Sequence, residues 1–154
     1  MYSNKIPIVS QVNGIITKIG EDHGKIRIYI SPEDNHVIYA PMTGTITNIT
    51  SKNGKWNREI FKANFQVKYA RVTVEIDEMI DFWIEVGKPK YITDRIRVTK
   101  KIGDKINVGE NIGEIILGSL SEIHLLKGDF IVSKNVFLNN QVKGGETVLY
   151  WSKK

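Results

Sequence analysis

Val12-Asn13-Gly14-Ile15-Ile16-Thr17-Lys18-Ile19 and Met42-Thr43-Gly44-Thr45-Ile46-Thr47-Asn48-Ile49 repeat one pattern, a glycine after a polar residue and then a run in which isoleucine recurs among threonine, lysine and asparagine. Apolar residues with a period near two mark half-buried strands, and the glycines punctuate them. A second echo supports the first. Gly103-Asp104-Lys105-Ile106-Asn107-Val108-Gly109-Glu110 parallels Asn140-Gln141-Val142-Lys143-Gly144-Gly145-Glu146, and each reads as a tight turn from which the chain re-enters a strand. Paired turns of this kind occur in barrel-sandwich folds, and their spacing is too irregular for a solenoid.

Working outward, strands are predicted over 14–19, 25–30, 44–49, 59–61, 66–75, 95–99, 113–117, 119–125, 130–132 and 147–151. The strongest helix candidate runs from Asp77 to Glu85, with Asp77 as cap and Met79, Ile80, Trp83 and Ile84 on one face, although Phe82 to Val86 reads equally as a strand. The expected fold is mostly β: one barrel-like or sandwich-like domain spanning 1–154, with at most one or two short helices.

The 154 residues suffice for a substantial core. Without cysteine, there is no disulfide framework, no thiolate nucleophile and no cysteine-based zinc site, and the three scattered histidines lack metal-ligand spacing, so no metal is expected. The first ten residues hold no signal-peptide pattern, and no apolar run reaches the roughly 18 residues of a membrane span. The expectation is an intracellular protein, soluble or peripheral to a membrane and not secreted. A net charge of +5 favours anionic surfaces such as phospholipid headgroups, but the lysines are scattered and serve solubility equally well. Nucleic acid is not expected as a partner, because aromatic residues are not interleaved with a basic stripe.

One stretch carries chemistry. Ile115-Ile116-Leu117-Gly118-Ser119-Leu120-Ser121-Glu122-Ile123 sets Gly-Ser between two apolar runs. Such a pair is most often a strand kink. It also has the makings of a self-cleaving bond: a serine hydroxyl attacks the preceding carbonyl to give an ester, with no side chain on the glycine to crowd it. Elimination from that ester leaves a pyruvoyl group, whose ketone condenses with an amine and serves as an electron sink for decarboxylation.

The segment Ser31-Pro32-Glu33-Asp34-Asn35-His36-Val37, leading to Pro41-Met42-Thr43-Gly44, resembles the Ser-Pro-x-Asp-x-His-Val and Pro-x-Ser/Thr-Gly blocks of short, archaeal-type phosphatidylserine decarboxylases. Lys101-Ile102-Gly103-Asp104 and Gly109-Glu110-Asn111-Ile112-Gly113 are similar to that family's lead into its Gly-Ser cleavage point. Val142 to Leu149 is similar to its closing strand. The resemblance implies Ser119 as cleavage serine and pyruvoyl precursor, Gly118 as the end of a larger fragment (1–118, leaving 119–154), and His36 as general base for self-cleavage and later proton carrier. It implies phosphatidylserine, or the anionic membrane holding it, as partner. His23 is expected at a hairpin tip, and His124, an odd number of residues from Ser119, on the opposite face of its strand.

The chain departs from the pattern in three places. Asn13 stands where the family carries an aspartate that orients the histidine, so it offers a hydrogen bond without a charge, and Asp34 is a possible substitute. Residues 77–93 read as an insertion: a substrate-facing or membrane-facing lip, an oligomer contact, or ordinary core. The usual N-terminal anchor is expected to be missing. A catalytically inactive relative, serving as a structural component in a homo-oligomer or protein assembly, is therefore the alternative to an enzyme. A biotinyl or lipoyl carrier, suggested by Tyr39-Ala40-Pro41-Met42-Thr43-Gly44-Thr45-Ile46 and the Gly-Asp-Lys turn at Gly103, fits less well, since no methionine flanks a lysine.

Overall fold

The computed structural model describes residues 5–57, 66–87, 96–116 and 119–153. Among them the chain forms β1 (Lys5–Val9), β2 (Gly14–Ile19), β3 (Lys25–Ile30), β4 (Val37–Tyr39), β5 (Gly44–Asn57), β6 (Gln66–Ile76), β7 (Ile80–Gly87), β8 (Ile96–Val98), β9 (Lys105–Ile106), β10 (Asn111–Ile115), β11 (Ser119–Leu125), β12 (Asp129–Val132), β13 (Gln141–Val142) and β14 (Val148–Lys153). The protein is thus mostly β as expected, without a helix among the described residues. The strands make an eight-stranded antiparallel sheet in the order β13-β2-β3-β11-β7-β6-β5-β9 and two three-stranded sheets, β1-β14-β12 and β4-β10-β8. The large sheet ends on β13 and β9 and is not closed into a barrel.

Alternation explains which face is buried. Ile26, Ile28 and Ile30 of β3, Ile80, Phe82 and Ile84 of β7, and Ile123 of β11 are all buried to within about one per cent. Each such side chain removed from water contributes roughly 1.5–3 kcal/mol before chain entropy is charged against it.

Asp77 to Glu85 is not a helix. Asp77 and Glu78 take φ values of 53° and 57°, and Met79 N–H donates to the Ile76 carbonyl, closing a tight hairpin turn. A β-hairpin favours this turn, with positive φ at both central residues, because its twist matches that of the strands. β7 then runs through the middle of the sheet between β11 and β6, so this part of the supposed insertion is ordinary core. Residues 88–93 and the expected strand at 59–61 lie outside the described residues.

The two echoes form matching arches. Gly14 pairs with Val142 and Ile15 with Gln141, just as Gly44 pairs with Ile106 and Thr45 with Lys105. Asn139 N–H donates to the Ile16 carbonyl at 2.8 Å, and Gly103 N–H to that of Ile46 at the same distance. Both donors need positive φ, 69° at Asn139 and 96° at Gly103.

Candidate active site

The segment ahead of β4 places His36. Asp34 N–H donates to the Ser31 carbonyl, and the Asp34 carboxylate accepts the Ser31 N–H at 2.9 Å. This closed turn brings the His36 ring back, so that Nε2 lies 3.1 Å from the Ser31 carbonyl oxygen. A carbonyl only accepts, so the hydrogen is on Nε2 and Nδ1 is the free base of the neutral ring. Asp34 therefore builds the turn; among the described residues no hydrogen bond joins it to the imidazole.

The backbone of His36 is fixed as well, because its carbonyl accepts the N–H of Ile115, the last residue of β10. Beyond Ile115 the chain passes to Ser119, the first residue of β11, whose register partner is Ile30, the residue before Ser31. One end of β3 thus gathers the His36 turn, the end of β10 and the start of β11. Gly118 lies outside the described residues.

β11 is held from below by a short buried chain of hydrogen bonds. Ser121 Oγ donates to the Trp83 carbonyl at 2.8 Å, and Gln11 Nε2 donates to Ser121 Oγ at 2.8 Å. The serine has one hydrogen and spends it on Trp83, so Gln11 must present its NH₂ and turn its oxygen away. That oxygen, in a fully buried residue, has no partner among the described residues. Sequence reading missed Gln11 and Ser121. Their one signal was polarity inside apolar surroundings, which by itself does not say which partner each finds.

On the opposite face of β11, as expected, His124 joins a charged network. Its Nδ1 lies 2.5 Å from Asp81 Oδ1 and its Nε2 lies 2.6 Å from Glu122 Oε1, while Arg27 Nε reaches Glu122 Oε2 at 2.8 Å. Burial opposes a charge on His124, but the hydrogen bonds it donates to Asp81 and Glu122 outweigh it and raise its pKa. Burial likewise opposes ionisation of Glu122, and His124 and Arg27 overcome it, lowering that pKa. Arg71 and Arg27 stack on Trp83, 4.4 and 5.6 Å from its centroid. Both ring nitrogens of His124 are committed to carboxylates, so this histidine is a tie between strands. His23 sits in the β2–β3 turn with φ 61°.

Asn13 caps a turn. Its Oδ1 accepts the N–H of Gly144 at 2.5 Å, and no hydrogen bond joins it to His36 among the described residues. A cavity of about 210 Å³ is lined by Asn13, Asn35, Tyr39, Lys143 and Gly144, and Gly144 packs against the Tyr39 ring. Among the described residues no group of three His, Asp or Glu side chains is arranged to hold a metal. A pyruvoyl group made from Ser119 would stand at the start of β11. A cut before Ser119 falls at the start of β11, and the register pairs from Ser119 to His124 with β3 and from Leu120 to Leu125 with β7 join the two resulting pieces, so none of them is lost by it.

Residues 8–150 match the family described as phosphatidylserine decarboxylase. The chain is 24% identical to the phosphatidylserine decarboxylase proenzyme of Beijerinckia indica, over 92% of its own length and 65% of the relative's. It is 27% identical to that of Amoebophilus asiaticus, over 84% and 56%, and 30% identical to that of Zymomonas mobilis, over 81% and 50%. The chain thus spans about half to two thirds of the length of these curated relatives. No solved structure matches it significantly.

Proposed function

The chain belongs to the phosphatidylserine decarboxylase family, and from that premise we propose that it cleaves itself between Gly118 and Ser119 and then decarboxylates phosphatidylserine to phosphatidylethanolamine at an anionic membrane surface. The observation that carries this reading is the convergence of the His36 turn and the start of β11 on one end of β3.

In the self-cleavage, His36 Nδ1 takes the hydroxyl proton of Ser119, and Oγ attacks the Gly118 carbonyl carbon. The C–N bond breaks as the C–O bond forms, and the proton passes to the departing nitrogen, leaving an ester. Loss of the Ser119 α-proton then expels the Gly118 carboxylate. Water replaces the nitrogen, which leaves as ammonia, and Ser119 has become a pyruvoyl terminus. That group supplies a ketone that takes up the substrate amine and accepts the electron pair freed by carbon dioxide. The chain's own residues hold the reacting terminus on β11 and offer His36 as the proton carrier for the product. An uncharged Ser31 carbonyl orients the ring, where a carboxylate would also stabilise the imidazolium, so self-cleavage is expected to be slow.

Intact-protein mass tests the first half. Wild type yields fragments ending at Gly118 and starting with a pyruvoyl residue, whereas Ser119→Ala stays whole. Phosphatidylethanolamine formation by the cleaved protein on phosphatidylserine vesicles tests the second. A wild type that stays whole under conditions that mature a relative removes the enzyme reading. The uncharged partner of the His36 ring would then favour an inactive relative in a protein assembly.

A further inference from the structure

The loop between β12 and β13 spends many hydrogen bonds on holding two large apolar side chains in water. Phe137 and Leu138 are 53% and 55% exposed. Around them, Val136 N–H donates to the Ser133 carbonyl, Asn135 Nδ2 to that of Val148, and Asn140 Nδ2 to that of Asn135 at 2.7 Å. Asn139 takes positive φ to reach Ile16. Alongside, on the neighbouring strands, Ile15 and Tyr29 form an exposed cross-strand pair. Single exposed apolar residues are ordinary on protein surfaces, but two adjacent ones on a fixed loop beside an apolar pair are a surface built to meet something.

Charge identifies the partner. Residues 5–20 and 130–145, which supply β2, β13 and this loop, contain Lys5, Lys18, Lys134 and Lys143 and not one carboxylate. Lys143 pairs with Glu146 at 3.5 Å, while Lys18 and Lys134 are exposed and make no ion pair among the described residues. A phenylalanine and a leucine on a rigid loop, flanked by unpaired lysines, suit the boundary of an anionic bilayer: the apolar pair enters the acyl edge and the lysines meet the headgroups.

We propose that Phe137 and Leu138, with Lys18 and Lys134, are the wedge through which this protein docks on anionic phospholipid. This deepens the functional reading by naming the surface that faces the lipid, and it is tested apart from catalysis. The assay is flotation of the uncleavable Ser119→Ala chain with vesicles of phosphatidylcholine alone or mixed equally with phosphatidylglycerol, which is not a substrate. Failure of self-cleavage therefore leaves this measurement intact.

The chain is expected to float with the mixed vesicles and not with phosphatidylcholine alone. Phe137→Ser with Leu138→Ser weakens binding about tenfold or more, as loss of two inserted side chains requires. Lys18→Gln with Lys134→Gln weakens it by about fivefold per charge and flattens its salt dependence. Ile102→Ser, at the corresponding place in the other arch, binds like the parent. Thermal melts verify that each variant is folded, and the lysine pair, lying outside any packing, serves if the apolar variant is not. The proposal is overturned if the parent does not float with mixed vesicles, or if either double variant binds as well as the parent. It is also overturned if the parent self-associates, the apolar variant abolishes that, and vesicle binding is unchanged; the patch is then a contact between copies.

Discussion

The arch around Gly14 and the arch around Gly44 are built alike, atom by atom, yet they differ in what they carry. In one, Asn13 Oδ1 accepts the N–H of Gly144; in the other, Thr43 Oγ1 accepts that of Val108 at 3.0 Å. Gly145 N–H donates to Ser10 O and Gly109 N–H to Ala40 O, both at 2.8 Å. Where one arch has Asp104, whose carboxylate accepts the Lys101 N–H, the other has Asn140. Where one has Lys101 beside Ile102, the other has Phe137 beside Leu138. The comparison separates scaffold from specialisation. A bond made by asparagine in one arch and threonine in the other is a cap on a turn and requires only an acceptor oxygen. The apolar, carboxylate-free tip is the property of one arch alone.

The largest effect that can break the equivalence is at the glycines. A Cβ on Gly14 would lie 2.2 Å from the Tyr29 carbonyl oxygen, which belongs to a fixed strand, whereas one on Gly44 would meet the Asp77 carboxylate at 2.5 Å. Gly14→Ala is expected at or above the top of the roughly 1–3 kcal/mol range for overpacking, and Gly44→Ala lower, since a side chain moves more readily than backbone. Urea unfolding of the two variants gives the order directly.

Next in size is a control outside both arches. Removing His124 by His124→Ala is expected to cost about 1–3 kcal/mol, because Asp81 and Glu122 lose a charged partner. The sign with pH is fixed by the directions. The raised His124 pKa adds stability that is fully present below its ordinary 6.5 and is lost as pH rises through the raised value. The lowered Glu122 pKa adds stability above its ordinary 4.5, lost as pH falls through the lowered value. Melting temperature should therefore fall on the alkaline side of 6.5, and that slope should flatten in His124→Ala.

Smaller still, Asn13→Ala and Thr43→Ala should each cost about 1 kcal/mol, the worth of one turn hydrogen bond, and the two losses should match. Smallest is Asn139→Gly, within about half a kcal/mol of wild type, since glycine relieves the positive φ but gains freedom in the unfolded chain. A denaturation series on both checks whether the arches are energetically as alike as their bonds.

The sequence was most legible where periodicity and echo agreed. The strand at 25–30 follows from isoleucine at alternate positions, those at 14–19 and 119–125 from short apolar-rich runs that begin at or just after a glycine, and the paired turns from their Gly-Glu endings. β7 was ambiguous because it is buried on both faces: Trp83 and Glu85 are covered on the charged side and Phe82 and Ile84 on the core side, which erases alternation. β4, β9 and β13 are too short to show a period. His36 was found by its motif, but its Ser31 partner is a backbone carbonyl, which side-chain identity does not announce. Asn13 was assigned by resemblance to a place beside the histidine, and its bond to Gly144 depends on a contact distant in sequence.

The most direct test follows the appearance of fragments by intact mass in wild type, His36→Ala and Asn13→Thr, the last borrowing the cap of the other arch. The expected result is that wild type and Asn13→Thr both divide after Gly118 at similar rates, while His36→Ala remains at 17.5 kDa. A wild type that never divides, or an Asn13→Thr chain that stays whole while wild type divides, would contradict the account.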